Sequence, residues 1–208
     1  MSLTKIQAVT QILLLNKSQT FQVPALDPSG TGAVAKAEKF LDFASRRVQG
    51  RGWRSNTFFA RTITADGSGE IEAGVTAGFG DPADQDVLWV RAGGADAHRR
   101  FVLVGSDLYD ADRSTFDFGA DAEIQVDVVI GYTDWDLIDP MLKELIVAQA
   151  AWDYNASEHG ERTRSLSIAD RIRQMELTIP RPPLPRNAEP INPLPLFPFD
   201  GQGDQAGD

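Results

Sequence analysis

Asp134, Asp136 and Asp139 fall within the nine residues YTDWDLIDP, around Trp135. Paired carboxylates beside a flat aromatic ring are the groups a glycoside hydrolase uses, one as general acid and the other as base or nucleophile. The same spacing has a structural reading. Asp139 precedes Pro140 and a helical pattern, the order expected of an N-cap followed by the first helical residue. Acids also collect at helix N-termini because the unpaired amides there are electropositive. Glycan hydrolysis by acidic residues near Asp134–Asp139 therefore stands as the alternative function, and no residue is assigned as catalytic.

Other chemical signatures are thin. His98 and His159 are the only two histidines, and neither sits in an H-x-x-x-H or H-E-x-x-H pattern. The absence of cysteine excludes disulfides and thiolate metal sites. Neither a phosphate-binding G-x-x-x-x-G-K-[ST], a dinucleotide G-x-G-x-x-G nor a G-x-S-x-G elbow occurs. GVTAGFGD (74–81) has three glycines but no helix pattern behind it to present amides to a phosphate, and reads as a loop. DLYDADRSTFD (107–117) lacks the sixth-position glycine and closing glutamate of a calcium loop, and reads as a β-turn with exposed acids. No cofactor and no metal are expected.

Charge is unevenly spread. Residues 1–60 hold 8 basic and 3 acidic side chains, net +5; residues 61–140 hold 5 and 17, net −12; residues 141–208 hold 7 and 10, net −3. The acidic centre repels nucleic-acid phosphate. Arg46, Arg47, Arg51 and Arg54 form a basic stretch without a stacking platform, and are expected to meet the acids of a neighbouring subunit. No apolar run approaches the roughly 20 residues needed to span a bilayer. The start, MSLTKIQAV, lacks a signal-peptide layout, so a soluble, non-exported chain with no membrane partner is expected.

The elements that must carry these residues follow from periodicity. Thr4–Lys17 reads as a helix opened by a T-x-x-Q capping box, Thr4 with Gln7. Ala33–Gln49 reads as a second. Its Val34, Ala37, Leu41, Ala44 and Val48 form a seam, Phe40 and Phe43 widen the apolar face, and Lys36, Glu38, Lys39, Asp42, Arg46 and Arg47 are left on the wet side. Strands are predicted at 56–64, 86–92, 100–106, 114–119 and 123–132, joined by tight turns that favour antiparallel pairing. In the last strand Ile124, Val126, Val128 and Ile130 alternate with Gln125, Asp127 and Val129, predicting one buried face and one wet face, at least in the strand's first half. Helix returns after Asp139-Pro140, and again at about Ser165–Leu177, where Ser167 and Asp170 are the predicted cap. Residues 180–198 hold eight of the twelve prolines and read as extended, polyproline-like chain.

The order predicts an α+β fold: an antiparallel bundle of about four helices (1–55 and 133–178), an inserted antiparallel β-region (56–132) and a Pro-rich tail (179–208). SRRVQGRGW (45–53) marks the first boundary. Gly50 and Gly52 supply positive φ to stop the helix, and Trp53 wedges between bundle and sheet.

Taken in order, several of these segments resemble the tail tubular protein A family, the head-to-tail adaptors of short-tailed bacteriophages. IQAVTQILL is similar to that family's opening helix, RRVQGRGW to its Q-[SG]-R-G-W helix end and LYDADRSTFDF to its LYD turn. IQVDVVIGYTDWDLIDPMLKELIVAQAAWDYNASEHG repeats its strand, acidic linker and helix, and the likeness covers residues 5–177. The resemblance implies a non-enzymatic virion protein at the head–tail junction, assembled in the host cytoplasm. It implies a twelve-fold ring between portal and tail nozzle, through which double-stranded DNA passes without specific binding. An acidic lining suits that passage. The tail, through Pro180, Pro182, Pro183, Pro185, Leu194, Leu196 and Phe197, is expected to dock on a neighbouring virion protein, the portal first.

Overall fold

The computed structural model describes residues 3–16, 23, 25–26, 29–72, 85–158 and 162–182. The GVTAGFGD loop, His159, Pro183, Pro185, Leu194, Leu196 and Phe197 lie outside them. Among the described residues are four α-helices, α1 (Lys5–Asn16), α2 (Ala33–Gln49), α3 (Pro140–Glu158) and α4 (Arg162–Thr178). Five strands lie between α2 and α3: β1 (Thr57–Thr64), β2 (Gln85–Ala92), β3 (Phe101–Val104), β4 (Asp107–Asp110) and β5 (Glu123–Tyr132). The fold is α+β, and every strand pair is antiparallel.

Helices α1 and α3 start where side chains cap them. Thr4 and Gln7 make the reciprocal box at α1: the Thr4 amide donates to Gln7 Oε1 at 3.0 Å and the Gln7 amide to Thr4 Oγ1 at 3.3 Å. Asp139 Oδ1 accepts the Met141 amide at 2.8 Å and the Leu142 amide at 3.4 Å, capping α3. At α4 the expected cap is wrong. The helix begins at Arg162, so Ser167 and Asp170 lie inside it.

Helix α3 is the axis of the helical core and contacts α1, α2 and α4. It runs antiparallel to α2, whose Lys36 reaches Glu158 at the far end of α3. The α2 seam is buried at Ala37, Leu41, Ala44 and Val48 and half-buried at Val34. Two expectations for α2 fail. Phe43 is 77% exposed, because it sits two residues, about 200°, round the helix from Leu41. Glu38 is buried, held by Lys5 of α1 at 3.0 Å.

The main sheet has the order β1-β5-β2, placing the last strand in the centre. Its second face is wet only at the start, where Glu123 is exposed and Gln125 half-buried. Val129 is fully buried against Gly52, just beyond the end of α2, and Asp127 is buried between Arg91 and the chain at Ala60. Asp127 Oδ1 accepts the Ala60 amide at 2.9 Å where β1 breaks register between Phe58 and Arg61, and Ala60 takes φ 49° there. Strands β3 and β4 form a separate hairpin. Residues 114–119, expected as a strand, give only one bridge, Thr115 to Asp110. Ile63, Ile71, Phe101, Leu108, Phe118 and Ile124 belong to the hydrophobic cluster under the sheet and hairpin, distinct from the cluster among the helices.

Candidate functional site: the helix–sheet junction

The chain passes from α2 to β1 through Gly50-Arg51-Gly52-Trp53. Gly50 continues the helical conformation, with φ −62° and ψ −13°, so the expected positive φ is absent there. Gly52 makes the left-handed turn, at φ +69°. A Cβ at Gly52 would meet Val129 Cγ2 at 3.2 Å, Thr57 Oγ1 at 3.3 Å and Trp89 Cζ2 at 3.8 Å. The backbone thus approaches all three strands of the main sheet, and only glycine combines this dihedral with this approach.

Trp53 is fully buried in the helical cluster. Its indole Nε1 donates to the Val48 carbonyl at 2.6 Å, so the ring folds back along the last turn of α2. Asn56, also fully buried, ties that turn to the sheet. Its side-chain oxygen accepts the Trp53 amide at 2.8 Å, and its Nδ2 donates to the carbonyls of Gln49 at 2.9 Å and Ile130 at 2.8 Å. Gln49 adds a second tie: its side-chain amide donates to Ser45 Oγ at 2.9 Å and makes two hydrogen bonds with the backbone of Tyr132. A buried polar network with its partners in place fixes geometry, because each lost bond leaves a desolvated group behind. Sequence reasoning names Gly50, Gly52 and Trp53 and misses Gln49 and Asn56. A glutamine ending a helix and an asparagine opening a strand look like ordinary turn residues.

The basic stretch beside this junction is engaged within the chain. Arg46 meets Asp86 of β2 at 2.7 Å, Arg47 meets Asp153 of α3 at 2.5 Å, and Arg51 meets Glu176 of α4. Burial pushes the Asp153 carboxyl up, against the opposing pull of Arg47. Arg54 is exposed and makes no ion pair among the described residues. The first residues of the tail pack against this same corner. Ile179 is buried in the helical cluster, the Pro180 carbonyl accepts the Arg54 amide at 3.4 Å, and the Arg181 guanidinium lies 5.2 Å from the Trp53 ring. Pro182 is half-buried beyond them.

The acidic motifs are spent on structure. Asp134 caps a short 3-10 turn (Trp135–Leu137) by accepting the Asp136 amide at 2.9 Å, and Asp139 caps α3. Trp135 Nε1 donates to the Leu3 carbonyl at 2.7 Å, so the ring is a strut to the chain before α1 and not a platform. In 107–117 the turn at 111–114 and the exposed Asp107, Asp112 and Asp117 fit the expectation, and Asp110 departs from it. Asp110 is fully buried at the end of β4. Its Oδ2 receives Arg99, and its Oδ1 the amides of Asp112 at 3.0 Å and Arg113 at 3.2 Å. Burial alone would raise this carboxyl; Arg99 and those amides outweigh it and hold it below its ordinary value. Arg99 also bridges to Asp96 and stacks 4.7 Å from the Phe101 ring. Among the described residues no cluster of three histidine or carboxylate side chains is placed to hold a metal.

What these contacts define is a two-part building block, helices and sheet locked at one corner by buried hydrogen bonds. The family model described as tail tubular protein matches residues 7–177. The chain belongs to that family and is a structural component of the bacteriophage virion, located in the tail and assembled there with other virion proteins. No curated protein matches it. Among the described residues no helix is long and apolar enough to cross a membrane.

Proposed function

We propose that this protein is a head-to-tail adaptor: copies pack side by side into a ring, twelve as the sequence resemblance implies, between the portal and the tail nozzle. The family match over both the helical and the β-rich parts carries the reading. The junction supports it mechanically. A ring subunit that transmits load from capsid to tail needs a fixed angle between its two parts, and Gln49 and Asn56 supply one. Neighbouring flanks meet heterologously, one face of each copy against a different face of the next. Of the arginines assigned to that contact, Arg54 has its charge uncommitted among the described residues, and Arg46 is mostly exposed even while paired with Asp86.

The lumen carries double-stranded DNA. Acids from the 61–140 stretch repel its phosphates and keep the duplex sliding, whereas a basic lining would hold it by counterion release. The Pro-rich segment beyond Pro182 docks on a neighbouring virion protein. Assembly takes place in the host cytoplasm. No observation favours the hydrolase alternative, since Asp134 and Asp139 are caps.

Electron micrographs of the purified protein mixed with its portal test the proposal. Rings seated on the portal are expected. Free monomers beside bare portals, at concentrations where both are folded, would overturn it.

A further inference from the structure

The outer face of the β3–β4 hairpin is apolar where a solvent-facing strand pair is ordinarily polar. The register sets Val102 opposite Tyr109 and Val104 opposite Asp107, so these four share a face; Phe101, Leu103 and Leu108 point the other way, into the sheet cluster. Val102 and Val104 are 46% and 48% exposed. The Tyr109 ring lies 4.9 Å from that of Phe116, itself 40% exposed. Two valines and two adjoining aromatic rings thus make one continuous strip. Asp107 lies on the same face, and Asp112 and Asp117 are exposed in the turn that carries Phe116.

A strip of rings and branched side chains with an acidic margin is the surface that receives proline-rich chain. The restricted backbone of such a ligand loses little entropy on docking, and its proline and leucine side chains seat against aromatic rings. This protein carries a ligand of that kind. Residues 192–199, NPLPLFPF, are uncharged, and Arg186 lies upstream to meet carboxylates. The described chain ends at Pro182, whose neighbour Arg181 rests on Trp53. In polyproline-like form at about 3.1 Å per residue, the stretch from Pro182 to Leu194 reaches about 37 Å. A domain of this length has a radius of gyration of about 17 Å, so the segment spans about two such radii from the Trp53 corner, enough to reach a copy packed beside it.

We propose that the Val102–Val104–Tyr109–Phe116 strip binds residues 193–199 of the neighbouring copy, so that each subunit is strapped to the next. The inference rests on the ring reading above and makes the tail's partner the next copy in place of the portal.

The native chain has no cysteine, which makes a clean test. Full-length Val104→Cys and Leu196→Cys proteins are mixed and oxidised, and the heterodimer is followed on a non-reducing gel. Leu196→Cys mixed with Asp170→Cys, an exposed position on α4, is the control. A single chain carrying both Val104→Cys and Leu196→Cys is oxidised alongside. The strip pair is expected to crosslink on the order of tenfold faster than the control or more, from the raised effective concentration of docked partners. Equal rates in the two mixtures would remove the strap. Crosslinking confined to the doubly substituted chain would place the segment on its own hairpin and overturn the exchange. Assembly with the portal is scored on the same mixture before oxidation. Rings without the heterodimer sink the strap alone; heterodimer without rings sustains the strap and removes the ring reading.

Discussion

Gln49, the last residue of α2, grips Tyr132, the last residue of β5, with both ends of its side-chain amide. Nε2 donates to the Tyr132 carbonyl at 3.1 Å and Oε1 accepts the Tyr132 amide at 2.8 Å. A helix and the central strand of a sheet, 83 residues apart in sequence, are held in register by one side chain.

Gln49→Ala leaves two backbone groups without partners in a buried corner. The expected loss is about 2–4 kcal/mol in urea denaturation. Gln49→Glu is the sharper variant, because a carboxylate accepts from the Tyr132 amide but cannot donate to its carbonyl. The introduced acid is buried, so its folded pKa rises and the variant recovers stability as pH falls and the acid protonates. A Gln49→Glu protein with the wild-type stability profile from pH 4 to 8 would show that the grip carries no weight.

Gly52 and Gly50 have separate roles, although a sequence shows them as one break. Gly52→Ala places a side chain at φ +69° and within 3.3 Å of both Val129 and Thr57. It should cost about 1–3 kcal/mol. Gly50→Ala keeps a helical dihedral and should stay within about 1 kcal/mol of wild type. Thermal melts of the two proteins decide; equal losses would mean that the left-handed turn is not what makes Gly52 demanding.

Asp110 gives the hairpin an acid-sensitive clamp. Its folded pKa lies below the ordinary 3.8, so its stabilising contribution is complete above that value and is lost as pH falls through the lower folded one. Asp110→Asn leaves Arg99 only Asp96 as a counter-charge, beside the rings of Phe101 and Phe118. It should cost about 3 kcal/mol at pH 7. The gap between wild type and variant should stay constant down to about pH 4 and narrow below it. A gap that is flat to pH 2 would assign the loss to packing and remove the charge argument.

A sequence announces a residue's role when that role is local. The bounds of α2, the Thr4–Gln7 box and the Asp139 cap are set by neighbours within a few positions, and each is found where periodicity and capping chemistry put it. Glu38, Asp110 and Asp127 look like surface acids because nothing nearby in sequence marks Lys5, Arg99 and Arg91 as their partners. Strand β4 hides inside an acidic run that also fits a turn. The central place of β5 comes from pairing with β1 on one side and β2 on the other, both far earlier in the chain. At the junction, the glycines are visible as a helix stop, but the hydrogen bonds of Gln49 and Asn56 reach partners that only the fold brings near.

Leu41 and Phe43 test the orientation of α2 itself. They lie two positions apart on one helix, which puts them on opposite sides of it. Leu41 is fully buried in the helical cluster, and Phe43 is 77% exposed. Leu41→Asp forces a carboxylate with no partner into that cluster, where neither hydration nor an ion pair offsets its burial. A loss of about 4 kcal/mol or more is expected, enough to unfold many domains of this size. Phe43→Ser removes an aromatic ring from solvent and should stay within about 0.5 kcal/mol of wild type. Circular dichroism melts of the two variants read the difference directly. A Leu41→Asp protein that melts with wild type, or a Phe43→Ser protein that melts well below it, would mean that α2 buries its other side, and the Gln49 grip at the end of that helix would then have to point elsewhere as well.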